Sequence, residues 1–144
     1  MTRPTGPSST PPEDDPSIAD DDVLYRRVHP KQVKWDEAGV LAVRAGSGEF
    51  EDSEDGTGCS VAIKSVMEQH GLGISDLLRG YESEQGLAEF FARDARAVGF
   101  GVIHKPLASD PAHGELTGPK PPSARKRLAK ATRIVVQPPR NRIG

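Results

Sequence analysis

The alternation of apolar and polar positions begins at residue 23. Residues 23–28 (VLYRRV) read as a strand, with Val23, Tyr25 and Arg27 on one side and Leu24, Arg26 and Val28 on the other. His29-Pro30 ends it, because proline cannot donate to a ladder and pushes the residue before it out of helical space. Residues 40–44 (VLAVR) form a second short strand and residues 45–58 a glycine-rich acidic loop. Residues 59–64 (CSVAIK) form a third strand, in which Cys59, Val61 and Ile63 alternate with Ser60, Ala62 and Lys64. A short helix is expected over 65–70, stopped at Gly71, and a helical turn over 75–79. The strongest helical pattern covers 83–98. Leu87, Phe90, Phe91, Ala95 and Val98 recur on one stripe, Ser83 suits the N-cap and Gly99 follows the last apolar residue. A strand at 100–105, an edge strand at 113–117, a helix at 123–132 entered through Pro122, and a last strand at 133–137 complete the order. The succession β-β-β-(α)-α-β-β-α-β predicts the α+β class: a single small mixed or antiparallel sheet with two or three helices packed on one face.

Composition sets the boundaries. Residues 1–22 hold five prolines, six carboxylates against the single base Arg3, and one aliphatic residue of any size, Ile18. Such a segment cannot offset an ordering entropy of roughly 1–2 kcal/mol per residue, so a disordered acidic tail is expected there. The α+β domain is then expected over 23–137 and a basic C-terminal tail over 138–144. A domain of that size supports a core without metal or disulfide. The formal charge of the chain is −2 and its pI about 6.1. Residues 23–144 carry 18 bases against 15 carboxylates, a formal +3, and from Pro119 onward there are eight bases and no carboxylate. This asymmetry points to an acidic partner, or to contact between the two ends of the molecule. A single cysteine excludes an intrachain disulfide and fits a reducing compartment. No apolar run approaches the ~20 residues of a membrane span, and the N-terminus lacks a signal-like apolar stretch. The expectation is a cytoplasmic protein without membrane contact.

Candidate chemistry is sparse. His29 and His104 stand at strand ends, and His113 and Glu115, two apart on a strand, point to one face. Were the strand ends to converge, His29, His104, His113 and Glu115 could make a nitrogen/oxygen metal site or an acid–base pair. Their spacing matches no zinc motif, and no metal or cofactor is expected. The acidic loop begins like an EF-hand at Glu51 but places Ala62 where a bidentate glutamate is required. Gly56-Thr57-Gly58 lacks the lysine of a phosphate-binding loop. Cys59 reads as a small core residue. Arg125, Lys126, Arg127, Lys130 and Arg133 form a basic helical face extended by Arg140 and Arg142. Such a face suits salt-dependent phosphate contacts with nucleic acid, or docking of the acidic tail.

One ordered set of residues carries a family resemblance. Tyr25-Arg26 on the first strand, Ser60 on a central strand and Glu115 late in the chain resemble the Arg–Ser–Glu ADP-ribosyltransferases. The resemblance implies that Arg26 holds the pyrophosphate of NAD, that Ser60 sits by the nicotinamide and that Glu115 orients the acceptor. The family's Ser-Thr-Ser reads Ser60-Val61-Ala62 here, and its paired glutamates reduce to His113-Gly114-Glu115. The wider pattern (Tyr25 to Pro30, Ser60 to Ala62, Pro111 to Glu115) resembles small bacterial proteins to which no activity is attached.

Three functions follow as expectations. The first is a small accessory protein acting through a protein partner or an acidic surface. The second is a transferase- or hydrolase-type enzyme using Arg26, His29, Ser60, His113 and Glu115. The third is a nucleic-acid accessory protein using the basic helix.

Overall fold

A computed structural model describes residues 13–36, 39–43 and 59–139. Among the described residues eight strands and four helices run in the order β1 (Val23–Val28), β2 (Val33–Asp36), β3 (Gly39–Val43), β4 (Cys59–Ile63), α1 (Lys64–Gln69), α2 (Ile74–Leu78), β5 (Gly86–Phe91), α3 (Ala92–Ala97), β6 (Gly101–His104), β7 (His113–Thr117), α4 (Pro122–Ala131) and β8 (Arg133–Val136). Six strands make one antiparallel sheet in the order β6-β7-β4-β1-β5-β8, while β2 and β3 pair as a separate hairpin. The α+β class and the single principal sheet are as the pattern predicted.

The sheet is buried on both faces. Leu24, Val28, Cys59, Val61, Ile63, Phe90, Val102 and Leu116 pack on one face with Ala92 and Ala95 of α3 and with Ala124, Leu128 and Ala129 of α4. On the other face Tyr25, Ala62 and Leu87 pack with Met67 of α1 and Leu78 of α2. The helices therefore divide between the faces instead of sharing one. Cys59 is a core residue, as expected.

The helix expected over 83–98 does not form as one element. Its first half is β5, a central strand paired with β1 along its whole length and with β8 on its other side. Leu87 faces one core cluster while Ala88 and Phe90 face the other. With both faces covered, the strand loses its polar alternation, and its apolar residues fall by chance at helical spacing. Only Ala92–Ala97 is helical. The carboxylate of Asp94 accepts the Phe91 amide (2.9 Å), a hydrogen bond that marks where strand gives way to helix. Likewise β7 is interior, between β6 and β4, not an edge strand.

Residues 1–12 of the expected tail lie outside the described residues. Residues 13–22 lie against the domain, so among the described residues the packing extends N-terminal of Val23 as far as Glu13. Ile18 is 5% exposed, within the core. The carbonyls of Asp20 and Asp22 accept the Arg93 and Ala92 amides (both 2.9 Å), two of the orphan donors at the start of α3. The Asp22 carboxylate caps α1 through the Ser65 amide and hydroxyl (3.2 and 2.6 Å). Asp14 and Asp20 pair with Arg96 of α3 (3.0 and 2.7 Å), so the acidic segment's described ion pairs are with α3. The Asp15 amide donates to Val102 and the Asp14 carboxylate accepts the Val102 amide, covering the open edge of β6. Gly101 permits this approach, since a Cβ there would strike the Glu13 carbonyl. At the other end Pro138 is buried, and residues 140–144 lie outside the described residues.

Candidate functional site

The site forms where the sheet parts. The pairing of β1 with β4 covers only Leu24↔Ile63 and Tyr25↔Ala62. Beyond those pairs β1 stays with β5 as far as Val28↔Gly86, and β4 stays with β7 as far as Cys59↔Leu116. Arg26 bridges the opening, its guanidinium donating to the Ser60 carbonyl at 2.6 Å in place of a backbone ladder. A cavity of about 460 Å³ occupies the opening. That volume lies within the range of small-molecule sites.

Its wall is polar, and two arginines stand in it against one carboxylate. Arg26, Arg27, His29, Ser60 and His113 line it, with Asp110 the one carboxylate among its described lining residues. Arg27 projects from β1 on the Tyr25 side, donates to the Leu77 carbonyl (3.2 Å) and lies 4.2 Å over the ring of Tyr81. Leu77 and Tyr81, from α2 and the turn after it, close one side. His29 holds a local position: its Nδ1 accepts the Lys31 amide (3.1 Å), and its own amide donates to Gln32 Oε1 (2.8 Å). This cap starts the 3-10 turn Pro30–Gln32 and turns the chain along the cavity rim. Burial pushes the Tyr25 hydroxyl pKa above its ordinary value, while Lys64 acts the other way.

His113 and Ser60 are in direct contact. In the β4–β7 register Ser60 opposes Glu115 and Ala62 opposes His113, so His113 is the diagonal neighbour of Ser60 on one face. Its Nε2 is 3.2 Å from Ser60 Oγ and its Nδ1 2.9 Å from the Lys105 carbonyl. Glu115 shares this face but is 7% exposed and pairs with Lys105 Nζ at 3.5 Å. It does not line the cavity.

Of the five residues singled out in the sequence, Arg26, His29, Ser60 and His113 therefore share one cavity, and Glu115 stands beside it. His104 does not join them; its Nε2 donates to the Pro111 carbonyl at 2.7 Å. Among the described residues no group of three or more His, Cys, Asp or Glu is placed to hold a metal ion. The sequence reading missed Arg27, Gln32, Tyr81, Gln85 and Asp110. Arg27 was signalled only by its neighbour Arg26, and no spacing ties Tyr81 to β1. The acidic loop with Glu51 and the Gly56-Thr57-Gly58 stretch lie outside the described residues.

The basic face is narrower than expected. Lys126, Arg127 and Lys130 are exposed on α4, but Arg125 is half-buried. Arg133 leaves the helix for β8, where it pairs with Glu89 at 2.6 Å and lies over Phe91. Among the described residues no helix is long and apolar enough to cross a membrane.

Comparison with family models, with curated proteins and with solved structures gives no match to this chain.

Proposed function

We propose that the chain is a transferase- or hydrolase-type enzyme whose cleft between β1 and β4 binds a nucleotide-like substrate through its phosphates. The observation that carries this reading is the meeting of Arg26, Ser60 and His113, from three strands, on one 460 Å³ cavity. A concave site with two arginines against one carboxylate favours an anionic ligand over a flat protein partner, and it ranks this reading above the accessory-protein one.

The resemblance to ADP-ribosyltransferases supports NAD as donor, with Arg26 on the pyrophosphate and Ser60 by the nicotinamide. Both residues line the cavity. The third role does not fit Glu115, which is covered and held by Lys105. His113, two residues earlier on the same face, lines the cavity and supplies a proton acceptor instead.

The test is calorimetric titration of the full-length chain with NAD and with ADP-ribose, repeated on Arg26→Ala and Arg27→Ala. A charge-assisted hydrogen bond to phosphate is worth about 1.5–3 kcal/mol, so each substitution should weaken binding about 10- to 100-fold. If neither ligand binds, or both substitutions leave the affinity unchanged, the reading is wrong.

A further inference from the structure

We infer that Ser60 is a nucleophile activated by His113, acting on the phosphorus of a nucleotide phosphoester or phosphoanhydride. This rests on reading the cleft as a catalytic nucleotide site; it departs from the glycosidic transfer that the resemblance implies by putting the reaction at phosphorus, with Ser60 as the group that carries the covalent step. A backbone carbonyl only accepts hydrogen bonds, so the 2.9 Å contact with Lys105 places a proton on His113 Nδ1. In the neutral ring Nε2 is then an acceptor, and the Ser60 hydroxyl donates to it across 3.2 Å. Nucleophile, base and orienting acceptor thus stand in sequence, with a carbonyl where a carboxylate often serves.

The positions are set by rigid elements. Ser60 is exposed, whereas Cys59 and Val61 on either side are buried, so strand alternation holds the hydroxyl at the cavity wall. The Ser60–His113 contact follows from the β4–β7 register rather than from a loop. Arg26, 2.6 Å from the Ser60 carbonyl and lining the same cavity, supplies positive charge to the site in which a substrate phosphate gains negative charge as it is attacked.

The step balances without any reactant beyond water. Ser60 Oγ bonds to phosphorus as its proton passes to His113 Nε2. The P–O bond to the leaving group breaks, and the leaving oxygen takes that proton. Water then bonds to phosphorus with His113 again accepting the proton, the Oγ–P bond breaks, and the proton returns to Oγ.

An alkyl fluorophosphonate tests this on the full-length chain, because its phosphorus is attacked in the same way with fluoride leaving. Intact mass should show one adduct, mapped to Ser60 and absent in Ser60→Ala. In His113→Ala labelling should slow by about 10²-fold or more, with partial recovery on adding imidazole. His113→Gln can still donate to the Lys105 carbonyl but has no basic nitrogen, so it should be equally slow, and this separates loss of the base from loss of the fold. No adduct, an adduct at another residue, or an unchanged rate in both His113 variants would overturn the inference. The probe needs no natural substrate. Nucleotide binding without labelling ends the nucleophile but leaves the proposed ligand, and labelling without nucleotide binding does the reverse.

Discussion

Residues 13–22 behave as one docked unit in this structure, and a mutant cycle measures that. Ile18 is 5% exposed in the main core cluster. Buried isoleucine-to-alanine changes cost about 2–5 kcal/mol. Because this segment lies at the periphery and can settle or detach, Ile18→Ala should cost about 2–3 kcal/mol, in the lower part of that range. Arg96 is 21% exposed, but its partners Asp14 and Asp20 are 35% and 69% exposed, so solvent screens both ion pairs. Burial pulls the Arg96 pKa down, yet the hydrogen bonds to Asp14 and Asp20 leave it raised overall. Discounted for screening, and including donation to the Asp15 carbonyl (3.0 Å), Arg96→Ala should cost about 1 kcal/mol. The two side chains hold the same segment, so the double variant should lose roughly 0.5 kcal/mol or more less than the sum of the singles. Urea denaturation of the full-length chain gives the three values. Amide exchange at Val102, whose N–H is held by Asp14, reports detachment directly. Strict additivity together with unchanged protection of the Val102 amide would refute a cooperative segment.

Two further outcomes follow from the same contacts. Asp22 caps α1 from outside the helix, so Asp22→Ala should cost about 1 kcal/mol by denaturation, whereas Asp22→Asn, which keeps an acceptor, should cost less. The Ser17 hydroxyl and amide both donate to the Asp15 carboxylate (2.7 and 3.0 Å) and hold its pKa below the ordinary 3.8. Because the folded value is the lower one, this stabilisation is full above pH 3.8 and is lost as pH falls through the folded value. An NMR titration of the Asp15 carboxyl should therefore move its midpoint upward in Ser17→Ala, and an unmoved midpoint would contradict the assignment of the shift to Ser17.

Much of the local structure was legible from punctuation. Pro30 closes β1, Pro106 follows β6 by two residues, and Pro122 opens α4, each because proline removes a donor and fixes its own φ. The types of residue in the site were also legible: His29 and His113 as titratable groups on or at the end of a strand, Arg26 and Ser60 through the ordered Arg–Ser–Glu resemblance. Residues 13–22 of the acidic segment pack against the domain although their composition argues against burial. Its carboxylates and carbonyls instead satisfy α1, α3 and the β6 edge, and these partners lie far along the chain.

Sequence alone thus determined most of the stretches that extend, where several of them stop, and which side chains could do chemistry, because those properties depend on a residue and its near neighbours. Only the tertiary structure decided that residues 86–91 are a strand, since periodicity reports a buried face only when the opposite face meets water and β5 meets core on both. It also decided that β7 lies inside the sheet, that β1 and β4 part after two residue pairs, and that Ser60 therefore meets His113, 53 residues away, at the mouth of a cavity. Strand order and register arise from competition among long-range pairings, and no local pattern encodes which pairing wins.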